Sequence, residues 1–193
     1  MASTLNIDIN SYSSAYFIGV GGIGMSAIAR YFLSLGWNVA GFDKTETTLT
    51  KALESEGVAI HYVDDIALIP KEYLDKQKTL IVYTPAVSTN HSEFKQFESL
   101  GFTILKRSQV LGVLTQHSKG LCVAGTHGKT TTSTLLAHVL NESELKCNAF
   151  LGGISSNFNS NLVTSNATEN TVIEADEFDR SFLQLSPFAT IIT

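Results

Sequence analysis

Basic charge is scarce in this chain, which carries 13 lysines and arginines against 18 acidic residues in 193, a net charge of −5. The basic residues are scattered rather than striped, which excludes nucleic acid as a partner. Cysteine is scarce as well. Cys122 and Cys147 lie far apart, so there is neither a disulfide framework nor a thiolate metal site, and the usage fits a reducing cytoplasm. Long apolar runs are also missing. The best candidate, Ala15 to Ala29, falls short of the ~20 residues a membrane span needs, is rich in glycine and is ended by Arg30. No membrane insertion is expected. With Asp8 upstream of it, the run lacks the basic flank of a secretory signal. The N-x-[ST] triplets at Asn90, Asn141 and Asn166 are therefore compositional coincidences. The remainder, 44% hydrophobic and 16% charged, suits one or two globular domains with a sizeable core.

Two glycine-bearing turns stand out. Gly125 to Thr131 reads G-T-H-G-K-T-T and follows the apolar run Leu121 to Ala124. A strand entering such a turn and then a helix aims backbone N–H groups and the positive end of the helix dipole at one place. Within Gly125, Thr126, His127, Gly128, Lys129, Thr130 and Thr131, Lys129 is suited to outer phosphates and the Thr130 hydroxyl to Mg²⁺. The first glycine of the usual eight-residue pattern is replaced by Val123. A purely structural turn with a chance lysine is the alternative, and G-K-T-T in this context favours ATP phosphates. The second turn comes earlier, where Gly19-Val-Gly21-Gly22-Ile-Gly24 follows the apolar strand Ala15 to Ile18. In this fingerprint the first glycine permits the turn, the second lets the backbone approach a diphosphate, and the third allows close helix–strand packing. Asp43 ends the next strand, Asn38 to Phe42, at about the ~20-residue distance expected of an acid that bonds a ribose hydroxyl. Taken alone, this half of the chain has NAD as its default ligand.

Strand and helix patterns alternate throughout. Helical stretches are expected at Ile23 to Leu35, Thr47 to Glu56, His91 to Leu100 and around Val110 to Leu114, with strands at Ala59 to Val63, Thr79 to Tyr83 and Phe102 to Leu105. This predicts an α/β protein, a Rossmann-like parallel sheet domain over residues 1–107, followed by the start of a P-loop-type ATP-binding α/β domain over 108–193. The glycine loop, Asp43 and the loop Thr84 to Asn90 then share one rim. The second unit is expected to have two or three strands and one firm helix, Thr130 to Glu144. Ser155 to Asn170 should be a mobile polar loop, and the final strand Ala189 to Thr193 is left uncovered, as in a chain truncated within its second domain. Glu174, Asp176, Glu177 and Asp179 gather four carboxylates at the end of the strand beginning at Thr171. The alternative to metal binding is a solvated acidic loop; Glu174 is the strongest candidate for Mg²⁺.

The ordered set F-I-G-V-G-G-I-G-M-S-A-I-A, A-G-T-H-G-K-T-T-T and E-A-D-E-x-D-x-S-F resembles the Mur ligase family across essentially the whole chain. The resemblance implies three domains, of which this chain holds the first and part of the second. It implies ATP-dependent joining of L-alanine to UDP-N-acetylmuramate, through an acyl phosphate on the lactoyl carboxylate that the alanine amine attacks. Gly19, Gly21, Gly22 and Gly24 would face the substrate diphosphate, with Asp43 near the uridine. Thr84 and Asn90 belong to a substrate-side loop, whose usual N-P-E ending is interrupted here by His91 and Ser92 before Glu93. Arg107 matches a recurring arginine, and Phe178 replaces a usual serine. Lys129 and Glu174 would be the catalytic pair, with Thr130 and Glu174 on Mg²⁺. A metal-ligating histidine and the closing third domain lie beyond the stretch present, so the chain alone is expected to be inactive. A ligase for a whole tripeptide, a non-catalytic UDP-sugar-binding fragment and an NAD-dependent oxidoreductase are the rivals. Among the histidines, His127 belongs to the cradle, His91 is open, and His61, His117 and His138 read as surface or packing residues.

Overall fold

In the computed structural model, residues 7–165 and 168–193 are described; the Asn166 triplet and the side chains of Phe178 and Asp179 lie outside this description. The chain divides into two compact units, one spanning Asp8–Arg107 and the other containing Ser108–Thr193.

The first unit is built on five strands, β1 (Ser14–Ile18), β2 (Asn38–Phe42), β3 (Ala59–His61), β4 (Thr79–Tyr83) and β5 (Ile104–Lys106). Their order is β3-β2-β1-β4-β5, and every pairing is parallel. All five residues of β1 are buried, as expected of a central parallel strand covered on both faces. Tyr16 and Ile18 join Phe42, Ile81, Phe94 and Phe97 in one cluster. On the opposite face Phe17 meets Phe32, ring centroids 6.2 Å apart, on helix α1 (Ile23–Ser34). Helix α2 (Thr48–Ser55) starts with a capping box between Thr47 and Thr50, and α3 (Ser92–Ser99) buries Phe94 and Phe97. Register decides function here. Ile18 pairs with Phe42 on one side and Tyr83 on the other, so Gly19, Asp43 and Thr84 leave the sheet level with one another. The reversal of strand order falls between β1 and β4, where open α/β sheets bind ligands.

Helix α4 (Arg107–Gln116) opens the second unit. Its sheet comprises β6 (Lys119–Ala124), β7 (Asn148–Ser155), β8 (Ser160–Val163), β9 (Asn170–Glu174) and β10 (Pro187–Ile192), in the order β10-β6-β9-β7-β8. Five strands replace the expected two or three. The difference lies largely in the polar stretch 155–170, which is no open loop: β8 pairs antiparallel with β7. Asn159, at a φ of 49°, tolerates the left-handed corner that a hairpin requires. Val163 then completes a core with Cys147, Ala149, Leu151 and Val172 beneath helix α5 (Lys129–Glu142). Strand β10 is exposed along all six of its residues.

Both cysteines are buried and free, and burial pushes each thiol up to about 11. The folded chain should therefore resist thiol-specific reagents at pH 8, and two equivalents should react once denaturant is added. Fast labelling under native conditions would show the second sheet to be open.

Candidate functional site

The rim of the first unit begins with a turn only glycine can make. Gly19 has a φ of +91°, and a Cβ there would lie 2.5 Å from Thr84 Cγ2. The Gly19 and Val20 N–H groups donate to the Phe42 carbonyl at 2.8 and 3.0 Å. Asp43 is drawn into this turn: Oδ2 accepts from Gly21 N–H at 2.7 Å and Oδ1 from Thr45 N–H at 3.0 Å. A charged acceptor on a backbone N–H makes a strong bond, so Asp43 sets the shape of the loop. Gly21 is enclosed by Thr50 and the Asp43 carboxylate, at 2.7 and 2.8 Å from a notional Cβ. The glycine with room in front of it is Gly22, whose Cβ would meet nothing within 3.4 Å. Gly22 also N-caps α1 with no side-chain cap hydrogen bond. Gly24 makes room for Arg107, whose three nearest atoms would crowd a Cβ there, Nη1 at 1.8 Å. Its small size admits a guanidinium over the first turn of α1.

The loop that begins at Thr84 and the residues after it divide in two. Thr84 N–H donates to the Ile18 carbonyl at 3.3 Å, which holds it beside Gly19, and Asn90 is exposed. Glu93 turns the other way and is fully buried, with Oε2 accepting from the Tyr16 hydroxyl at 2.8 Å. Burial pushes its carboxyl up to about 7 and pushes the Tyr16 phenol up as well, with Glu93 adding to the shift. His61 is not a bystander: Nδ1 faces the Val63 carbonyl at 2.9 Å and Nε2 the Tyr16 hydroxyl at 2.7 Å. His91 is buried against Phe42, ring centroids 4.3 Å apart. Sequence reasoning missed this cluster, although Glu93 and Phe97 are four residues apart on one helix and so share its inward face.

In the second unit the cradle is a left-handed turn. Gly125 and Gly128 have φ of +134° and +81°, and Gly128 N-caps α5 without any side-chain bond. Thr126, His127 and Thr131 are exposed around it. The Thr193 hydroxyl donates to the His127 carbonyl and to the Ala124 carbonyl. Lys129 Nζ donates to the Gly125 carbonyl at 2.6 Å and to Glu177 Oε2 at 2.7 Å. The hydrogen bond between them raises the lysine and lowers the Glu177 carboxyl. Register sets Glu174 beside Val123, close to the start of α5. Glu174 Oε2 accepts from the Thr130 hydroxyl at 3.1 Å, and Oε1 from the Ser133 hydroxyl at 3.0 Å and from Gly152 N–H at 2.7 Å. Ser133 and Gly152 went unanticipated, since β7 is not adjacent to β9 in sequence. Gly152 is needed for this approach, a Cβ there lying 2.5 Å from Glu174 Oε2.

Residues 14–119 match the profile of the Mur ligase family, catalytic domain, more than half of the chain. The chain belongs to the Mur ligase family. A relative named UDP-N-acetylmuramate–L-alanine ligase from Phocaeicola vulgatus is 59% identical over 187 residues, covering 97% of this chain and 41% of that protein. One of the same name from Cytophaga hutchinsonii is 50% identical over 189 residues, covering 96% and 41%. The chain thus spans about two-fifths of the length of these relatives. Among solved structures, the UDP-N-acetylmuramate-alanine ligase of Thermotoga maritima superposes with a TM-score of 0.81 at 32% identity, covering 93% of this chain and 40% of that one. A UDP-N-acetylmuramate:L-alanyl-gamma-D-glutamyl-meso-diaminopimelate ligase from Neisseria meningitides gives 0.81 at 27%, covering 94% and 60%. Among the described residues, no helix is long and apolar enough to cross a membrane.

The glycines of this Mur ligase loop should separate by role. Gly19→Ala should lower the melting temperature more than Gly22→Ala, which costs under about 1 kcal/mol as a lost helix cap. Asp43→Ala should cost about 1.5–3 kcal/mol with no ligand present, because it removes charged-acceptor bonds from the loop. Chemical denaturation checks all three, and an unchanged midpoint for Asp43→Ala would leave its carboxylate without a structural role.

Proposed function

We propose that this chain supplies the UDP-sugar site and the ATP phosphate loop of a ligase that joins L-alanine to UDP-N-acetylmuramate. The observation that carries the reading is a pair of glycine-capped helix N-termini, one at Gly22 and one at Gly128, each without a side-chain cap. One diphosphate cradle and one triphosphate cradle suit a nucleotide-sugar acceptor and ATP. An NAD enzyme would leave the second idle. The identities of 50–59% to proteins named for L-alanine favour a single amino acid over a tripeptide acceptor.

In this reading Gly22 admits the diphosphate to the first turn of α1, with Gly19, Gly21, Gly24 and Asp43 holding the loop in shape. Arg107, Thr84 and Asn90 take the rest of the nucleotide sugar. Gly125 to Thr131 wrap the ATP phosphates, and Lys129 leaves Glu177 for a phosphate oxygen. The residues present fit Mg²⁺: Thr130 Oγ1 and Glu174 Oε2 are hard oxygen donors 3.1 Å apart, near the ~2.9 Å edge of an octahedron with bonds of 2.0–2.1 Å. When bound, that ion neutralises charge on the transferring phosphoryl group. Lys129 acts in the same sense, stabilising charge that grows as the phosphoryl group passes to the sugar's carboxylate. Burial of both free thiols and the use of ATP suit a cytoplasmic location.

Calorimetric titration tests this. The chain should bind UDP-N-acetylmuramate and not NAD, and Gly22→Ala should weaken the sugar nucleotide at least tenfold. Lys129→Ala should weaken MgATP and leave the sugar nucleotide untouched. Binding of NAD in place of the UDP sugar would overturn the reading.

A further inference from the structure

We propose that Asp64, His91 and Glu93 form a binding site for a divalent transition-metal ion of the zinc class, which the ligase reading does not require. The three side chains offer donor atoms that all lie within 4.8 Å of one another. They come from the segment after β3 and from the start of α3.

The state of the donors points to a ligand. His91 is 8% exposed, and neither of its ring nitrogens has a hydrogen-bond partner. Glu93 is 0% exposed, and its Oε1 likewise has no hydrogen-bond partner, His61 Nε2 standing 3.4 Å away. Buried polar atoms are nearly always satisfied, so three in one cluster require an explanation. His91 Nε2 stands 3.4 Å from Asp64 Oδ1, too long for a strong charge-assisted bond. It is, however, close to the edge of a tetrahedron built from 2.0–2.1 Å bonds, about 3.3 Å.

The surroundings are those of a supported site. Glu93 Oε2 is held by the Tyr16 hydroxyl at 2.8 Å, and Tyr16 is held in turn by His61 at 2.7 Å. This fixes the carboxylate with Oε1 left over, as outer partners fix metal-bound carboxylates. Asp64 is oriented by the Ser92 N–H at 3.1 Å and by the Ser92 hydroxyl. Its side chain is 42% exposed, which gives an ion a path in from solvent. One imidazole and two carboxylates suit zinc-class ions, whereas sites for Mg²⁺ or Ca²⁺ are built of oxygen donors alone. Three protein ligands leave a fourth position for water. An ion there would tie the segment after β3 to α3.

The test uses the whole 193-residue chain, stripped with a chelator and titrated with Co²⁺. One equivalent should bind with the visible absorption of a low-coordinate nitrogen/oxygen site, and Zn²⁺ should displace it. Zn²⁺ should also raise the melting temperature. His91→Gln and Asp64→Asn should each weaken Co²⁺ on the order of 100-fold, while Glu142→Gln, at the exposed end of α5 in the other unit, should bind as the unaltered chain does. Asp64 is largely exposed, so Asp64→Asn keeps the comparison valid should His91→Gln misfold. Absence of saturable Co²⁺ binding, or binding that survives Asp64→Asn unchanged, overturns the proposal.

Discussion

A helix that begins without a side-chain cap carries N–H groups that nothing in the chain's own side chains satisfies. Both units of this protein are arranged around such an end. At α1 and at α5 the N-cap is glycine, with no side-chain cap hydrogen bond. Other helix starts find side-chain acceptors: α2 has a reciprocal Thr47–Thr50 box, and at α3, where His91 gives no cap bond, Asp64 accepts from the Ser92 N–H. The contrast shows that capping residues are available to this fold and are withheld where the strand-to-helix turn meets the carboxyl edge of a sheet. Glycine serves twice there. It allows the positive φ of Gly19, Gly125 and Gly128, and it clears space in front of the exposed donors.

Near each of those ends a carboxylate holds donors of the chain itself, backbone or hydroxyl. Asp43 pins the first loop through Gly21 and Thr45. Glu174 collects Thr130, Ser133 and Gly152, joining the start of α5, its first turn and β7 at one point. A charged acceptor with several donors is geometrically rigid. That rigidity is what a phosphate-handling site needs, because positioning supplies much of phosphoryl-transfer catalysis.

Much of this was legible in the sequence because the signals were local. The apolar runs Ala15 to Ile18 and Thr79 to Tyr83 could be nothing but buried strands, and the two glycine turns sat directly after strands. What escaped notice depended on partners distant in the chain. Strand β8 has two apolar residues, Leu162 and Val163, and owes its existence to pairing with β7 and to the corner at Asn159. The loop motif groups Glu93 with the substrate-side residues. The helical period that puts it in phase with Phe97 gave the better answer, and Tyr16 supplies the partner that burial demands. Asp64 lies 28 residues before Ser92, a pairing no sequence pattern announces.

The pairing of Lys129 with Glu177 bears on how the cradle is kept ready. A lysine facing only loop N–H groups would repel them and swing away into solvent. Bound to Glu177 and the Gly125 carbonyl, it stays over the turn. The pair is cheap to break, since ion pairs between exposed groups contribute about 0–1 kcal/mol. A triphosphate offers more charge than one carboxylate, and does so beside the end of α5, where the helix dipole and loop donors also favour it. Loss of the Lys129 hydrogen bond that lowers its carboxyl returns Glu177 only to the ordinary carboxylate range, so it keeps its negative charge on release. It would then repel the phosphate unless it turned outward, and its exposed position permits that. On the proposed reading, the carboxylate acts as a stand-in for phosphate that a better anion displaces. Glu174, bound by three donors rather than one, does not leave.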